Sequence, residues 1–137
     1  MEESNFINVG IVPREEEEVL VIRRVNKEVR QGGGVLEWAF PGGKQRVGET
    51  REECVKREIL AETGYDVEPM KQISLRLHPQ TSVIIAYYLC RLVSAKPVAA
   101  PQEPHEIAEI AWVERTKLAE LFTSDIDLKV KQELGIP

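Results

Sequence analysis

Residues Gly42 to Tyr65 read GGKQRVGETREECVKREILAETGY, and the way this stretch folds decides how the rest of the chain is read. It opens on two glycines, where a backbone without side chains can turn sharply or come close to another group. A charged run with helical spacing follows. Gly48 and Thr50 set it up, and Gly64 is the residue type that most often ends a helix. The spacing predicts a helix over 50–63. Wound at about 100° per residue with Cys54 at zero, Val55 falls near about 100°, Ile59 near about 140° and Ala61 near about 340°. Glu58 falls near about 40° and Glu62 near about 80°, inside the apolar arc rather than opposite it. Like charges one turn apart also repel by roughly a few tenths of a kcal/mol. Glutamates on a plain solvated face would sit on the other side, with Lys56. Two inward carboxylates ask for a compensating charge, and their hard oxygens suit Mg²⁺ or Mn²⁺.

The chain has 137 residues, 42% of them hydrophobic and 30% charged, as in a soluble domain able to bury a core. Its net charge of −5 disfavours a broad nucleic-acid or anionic-membrane surface, but not a small phosphate ligand held through a metal. The longest apolar run, Val83 to Cys90, is too short to cross a bilayer. The start, MEESNF, lacks the plan of a signal peptide, so a cytoplasmic address is expected. Cys54 and Cys90 lie far apart with no His or Cys beside them, which argues against a disulfide framework or a zinc site.

No internal repeat or linker divides the chain, and residues 1–137 are expected to form one domain. Strands are predicted at Phe6–Val12, Val19–Arg23, Val35–Phe40, Lys71–Leu77, Val83–Val93 and Glu109–Val113. Val25–Gly34 reads as a loop and SAKPVAAPQEP as a proline-rich one. Helices are predicted at Lys117–Phe122 and Asp125–Leu134, the latter capped by Ser124 and ended by Gly135 and Pro137. This order predicts an α/β fold with helices packed on a mixed sheet.

The opening stretch resembles the Nudix box, G-x5-E-x7-R-E-U-x-E-E-x-G-U, where U is bulky and apolar. Gly43, Glu49, Arg57, Glu58, Ile59, Glu62, Gly64 and Tyr65 fill the specified positions, and Ala61 stands where the first Glu of the E-E pair belongs. So many specified positions over so short a span rarely match by chance. EVLVIRR, LEWAFPGG and the spacing from Glu106 to Trp112 resemble the surroundings of the box in MutT-type members, so the likeness covers nearly the whole chain. It implies an α/β/α sandwich with a mixed sheet between helices. It also implies metal-dependent hydrolysis of a diphosphate linkage in a nucleoside diphosphate-X or nucleoside triphosphate.

By the same resemblance, Glu58, Glu62 and the carbonyl of Gly42 are metal ligands, and Arg57 pairs with Glu49 to fix the loop on the helix. Glu106 is expected as a further ligand or general base, with Glu103 and Glu109 as alternatives. Arg23 or its neighbour Arg24, of which Arg23 is preferred, would hold a phosphate, as would Lys44. Phe40 would stack on a base, with Trp38 and Tyr88 as other aromatics, although each also suits a core. Asp127 would accept a hydrogen bond from a base amino group, while Asp125 is assigned to capping the last helix. His78 and His105 have no partner visible in sequence. The expected partner is a small nucleotide, bound by a monomer or homodimer. Loss of the carboxylate at Ala61 leaves a second reading, a nucleotide-binding sensor without turnover. An RNA 5′-end pyrophosphohydrolase is a third, and the net charge weighs against it.

Overall fold

A computed structural model describes residues 3–29, 35–77, 82–102, 106–122 and 125–137. The chain runs through β1 (Glu3–Ile11), β2 (Pro13–Arg14), β3 (Glu18–Val29), β4 (Val35–Ala39), β5 (Gly42–Arg46), α1 (Arg51–Thr63), β6 (Val67–Leu77), β7 (Ile84–Leu92) and β8 (Ile107–Glu114). A 3-10 turn at Arg115–Lys117 leads into α2 (Leu118–Leu121), and α3 (Leu128–Leu134) follows. One sheet has the order β5-β1-β7-β6; the other joins β2, β3 and β4, with β8 also paired to β3. The β1–β7 pairing is parallel and that of β1 with β5 is antiparallel, so the first sheet is mixed, as expected of the α/β class.

Period-two burial builds two cores on opposite faces. In β3, Val19 and Val21 join Ile11, Phe40, Leu118, Val130 and Leu134. Leu20, between them, joins Val12, Val55, Ile59, Val67, Ala86 and Tyr88. The helix α1 thus covers one face, and α2 with α3 the other. The result is the layered arrangement of helices about sheet that the sequence resemblance implied.

The helix α1 forms where its sequence says it should. Thr50 accepts from the Glu53 N–H at 3.0 Å, and the Glu53 carboxylate accepts from the Thr50 N–H at 2.8 Å, a reciprocal cap that satisfies two end groups. Gly64 ends the helix at φ +80°, in the left-handed region, and donates to the Leu60 carbonyl. The segment after β7 then straps the helix end. Val98 donates its N–H to the Gly64 carbonyl and Gln102 donates to the Ala61 carbonyl, each at 2.8 Å.

Several segments differ from expectation, among them β6, which starts at Val67 rather than Lys71. The predicted loop over Val25–Gly34 is strand to Val29, because β4 pairs with it at Glu28↔Leu36 and Val29↔Val35; residues 30–34 lie outside the described residues. Gly42–Arg46 is a strand that no propensity announces, held by pairing with β1 at Val9↔Gly42 and Asn8↔Gly43. The last helix starts at Leu128 rather than Asp125 and is capped by Asp127; Ser124, its predicted cap, lies outside the described residues. No described helix is long and apolar enough to cross a membrane.

Thr50→Ala removes the side-chain half of the α1 cap and is expected to cost about 1 kcal/mol. Urea denaturation should register it as a lower midpoint with an unchanged slope.

Candidate active site

The two glycines and the second half of α1 approach each other closely. The Gly42 N–H donates to Glu62 Oε1 at 2.8 Å, and Glu62 is only 4% exposed. The Glu58 carboxylate lies against Gly43 so tightly that a Cβ on that residue would fall 2.6 Å from Glu58 Cδ. On the other side, a Cβ on Gly42 would fall 2.3 Å from the carbonyl oxygen of Asn8 in β1. Glycine is thus a steric requirement at Gly42, where the neighbour is backbone, while a side chain at Gly43 would have to displace the Glu58 carboxylate; the carboxylates of Glu58 and Glu62 meet at this one dipeptide. The sequence prediction that these two side chains turn inward is matched by their burial.

Arg57 organises the approach. Its Nε donates to Glu49 Oε2 at 2.6 Å, one terminal nitrogen donates to Glu58 Oε1 at 2.7 Å, and the other to Glu49 Oε1 and the Lys44 carbonyl, each at 3.1 Å. The Arg46 N–H adds a hydrogen bond to Glu49 Oε1 at 3.0 Å. Hydrogen bonding to Arg57 holds the Glu49 carboxyl below its ordinary value, against the opposing effect of burial. Glu49, with Glu58, holds Arg57 charged. The Arg57–Glu49 pairing implied by the box is therefore present as a forked, charge-assisted contact.

The other predicted residues divide. Of the two arginines, it is Arg24 that faces the carboxylates, 3.7 Å from Glu62 Oε2. Arg23 instead contacts Glu109 at 3.3 Å and Glu37 at 3.5 Å and lies over the Trp38 ring. Lys44 has an exposed side chain, and its backbone carbonyl serves Arg57. Glu106 is exposed at the entry to β8, where its carbonyl accepts the Val25 N–H. Glu103, His78 and His105 lie outside the described residues. Among the described residues, no three His, Cys, Asp or Glu side chains converge as a metal-binding group. Glu58 and Glu62 are brought together by the glycines, and Glu106 is not joined to them.

Phe40 packs edge-on against Phe122, with ring centres 4.8 Å apart, and both line a hollow of about 140 Å³ with Trp38, Tyr87 and Asp127. Asp127 is largely committed: Oδ1 accepts from the N–H groups of Lys129 and Val130, and Oδ2 from the Ser74 hydroxyl. The capping role expected of Asp125 thus falls to Asp127. A larger hollow of about 490 Å³ beside Pro13 and Arg115 contains none of the predicted site residues. Tyr88 lies in the α1-side core. Cys54 and Cys90 are buried free thiols, pushed up by burial to about 11 and about 12, and so inert at neutral pH.

Sequence reasoning passed over Asn8 and Gln45. Asn8 is fully buried, and its amide donates to Gln45 Oε1 at 3.0 Å. The available signal was a polar side chain inside the otherwise apolar run Phe6–Val12. Gln45 carried none, since the strand that places it was not foreseen.

Two buried or half-buried carboxylates beside glycine backbone, with an arginine at the edge, offer hard oxygens to a divalent cation and positive charge to a phosphate. The donor chemistry fits the group that the sequence resemblance implies.

The NUDIX domain family model matches residues 5–134. A Caenorhabditis elegans protein named for the same family is 30% identical over 108 residues, covering 77% of this chain and 28% of that protein. The 8-oxo-dGDP phosphatase NUDT18 of Homo sapiens is 26% identical over 113 residues, covering 82% of this chain and 33% of that one. The chain thus spans about a third or less of these curated relatives. A crystal structure of a NUDIX hydrolase from Nitrosomonas europaea superposes on the whole chain and 76% of its own, with TM-score 0.72 and 18% identity, a likeness of fold.

Because the Glu49 carboxyl is held below its ordinary 4.5, its pairing stabilises the fold above that pH and is lost as pH falls through the lower folded-state value. Glu49→Gln is expected to cost about 2 kcal/mol at neutral pH. The gap in melting temperature between wild type and variant should then narrow progressively in acid.

Proposed function

The chain belongs to the NUDIX domain family, and from that premise we propose that it hydrolyses a diphosphate linkage in a nucleoside diphosphate-X or nucleoside triphosphate with the help of a divalent metal. The observation that carries the reading is the meeting of Glu58 and Glu62 at the Gly42–Gly43 backbone, one carboxylate buried and the other fixed by Arg57. Nothing in a purely structural helix face requires two acids to turn inward onto glycines.

Glu58, Glu62 and the Gly42 carbonyl would hold Mg²⁺, or Mn²⁺ in its place, with Glu106 as the candidate further ligand. When bound, the metal neutralises phosphate oxygens and lowers the pKa of a water molecule. Arg57 and Glu49 keep Glu58 aimed. Arg24, facing Glu62, is placed to meet a phosphate; Arg23 and Lys44 remain candidates for the same role. If it is not that further ligand, Glu106, exposed and ahead of β8, would serve as the base that takes a proton from the attacking water. Phe40 and the hollow beside it would receive a base ring, with Asp127 at its wall. The acidic net charge supports a free nucleotide over an RNA chain, and a cytoplasmic monomer or homodimer is the expected form.

The test is release of phosphate and nucleoside monophosphate from nucleoside triphosphates, nucleotide sugars and dinucleoside polyphosphates. Wild type and Ala61→Glu would each be assayed with Mg²⁺, with Mn²⁺ and with EDTA. Turnover by wild type that EDTA abolishes is expected. Turnover only in Ala61→Glu would mean that the natural chain binds nucleotides without cleaving them.

A further inference from the structure

Asn8 is polar, fully buried and flanked in β1 by apolar residues, and its Oδ1 has no hydrogen-bond partner. An apolar side chain would fill the same volume without stranding an acceptor. What Asn8 offers instead is its Nδ2 donor. It stands opposite Gly43 in the β1–β5 register and donates to Gln45 Oε1 at 3.0 Å. Gln45 Nε2 in turn donates to the backbone carbonyl of Glu49 at 2.7 Å. The Glu49 carboxylate is held by Arg57, and Arg57 holds Glu58. The turn from β5 into α1 is therefore gripped at both ends of one residue: Asn8 and Gln45 fix the Glu49 main chain, while Arg57 fixes its side chain.

We propose that Asn8 and Gln45 are positioning residues whose amide relay sets the Glu49–Arg57 fork and, through it, the orientation of the Glu58 carboxylate toward a divalent ion. The last step rests on the metal-dependent reading given above; the setting of the fork does not. Side chains one layer behind metal ligands commonly govern metal affinity in this manner.

Two measurements separate these parts. In metal-free protein, NMR would follow hydrogen exchange of the Arg57 Nε–H; Mn²⁺ affinity would be read separately from the electron paramagnetic resonance of free Mn²⁺. Gln45→Met removes both bonds, whereas Gln45→Glu keeps the acceptor for Asn8 and loses only the donor to Glu49. Leu118→Ala, in the core on the opposite face, supplies a destabilised control. Both Gln45 variants should exchange Arg57 Nε–H at least about tenfold faster and bind Mn²⁺ about tenfold more weakly, with Leu118→Ala unchanged in both. Arg57 exchange that is unaltered in Gln45→Met, or equally accelerated in Leu118→Ala, would overturn the relay. If the fork loosens while Mn²⁺ affinity holds, the step from fork to metal is wrong. Wild type that takes up no Mn²⁺ would sink the metal reading and that last step, with Arg57 exchange still deciding the relay.

Discussion

The guanidinium of Arg57 is the constraint on which the site depends. It joins a carboxylate from the turn after β5, a carboxylate from its own helix and a main-chain carbonyl from β5. No other described side chain ties the glycine turn to α1 through so many charge-assisted bonds. With Arg57 satisfied in this manner, Glu58 cannot swing to solvent without leaving a half-buried cation short of a partner. That cost turns a flexible glycine-containing segment into a fixed wall.

The second constraint is steric. Gly42 is pressed against the β1 backbone and Gly43 against the Glu58 carboxylate, so a side chain would push β5 off β1 at the first position and displace Glu58 at the second. The cap at Thr50 and the left-handed Gly64 set the length of α1 between that wall and the strap formed by residues 94–102. Ala61 lies where the strap crosses, its carbonyl bonded to the Gln102 N–H. Ala61 therefore sits at a close main-chain contact with the strap.

Much of this was legible in residues. Helical spacing ended by Gly64 gave α1, and its wheel put Glu58 and Glu62 inward; the resemblance to the box supplied the Glu49–Arg57 pair. What stayed hidden depends on partners distant in sequence. Gly42–Arg46 has no strand propensity and becomes β5 because β1 lies beside it. The end of β3 reads as loop in sequence and is strand because β4 pairs with it. Arg23 and Arg24 are indistinguishable as neighbours in a sequence, yet one finds Glu109 and Trp38 while the other finds Glu62. Asp127, proposed for a base, also caps α3 because the helix begins three residues later than its periodicity suggests.

The central claim is that a divalent ion belongs where Glu58 and Glu62 meet the glycine backbone. The most direct measurement is an anomalous difference map from crystals of wild type and Glu62→Gln grown with Mn²⁺. The account predicts a peak within ligand distance of Glu58, Glu62 and the Gly42 carbonyl in wild type, lost or much weakened in the variant. A wild-type map without density there, or a peak of equal strength in Glu62→Gln, would contradict it.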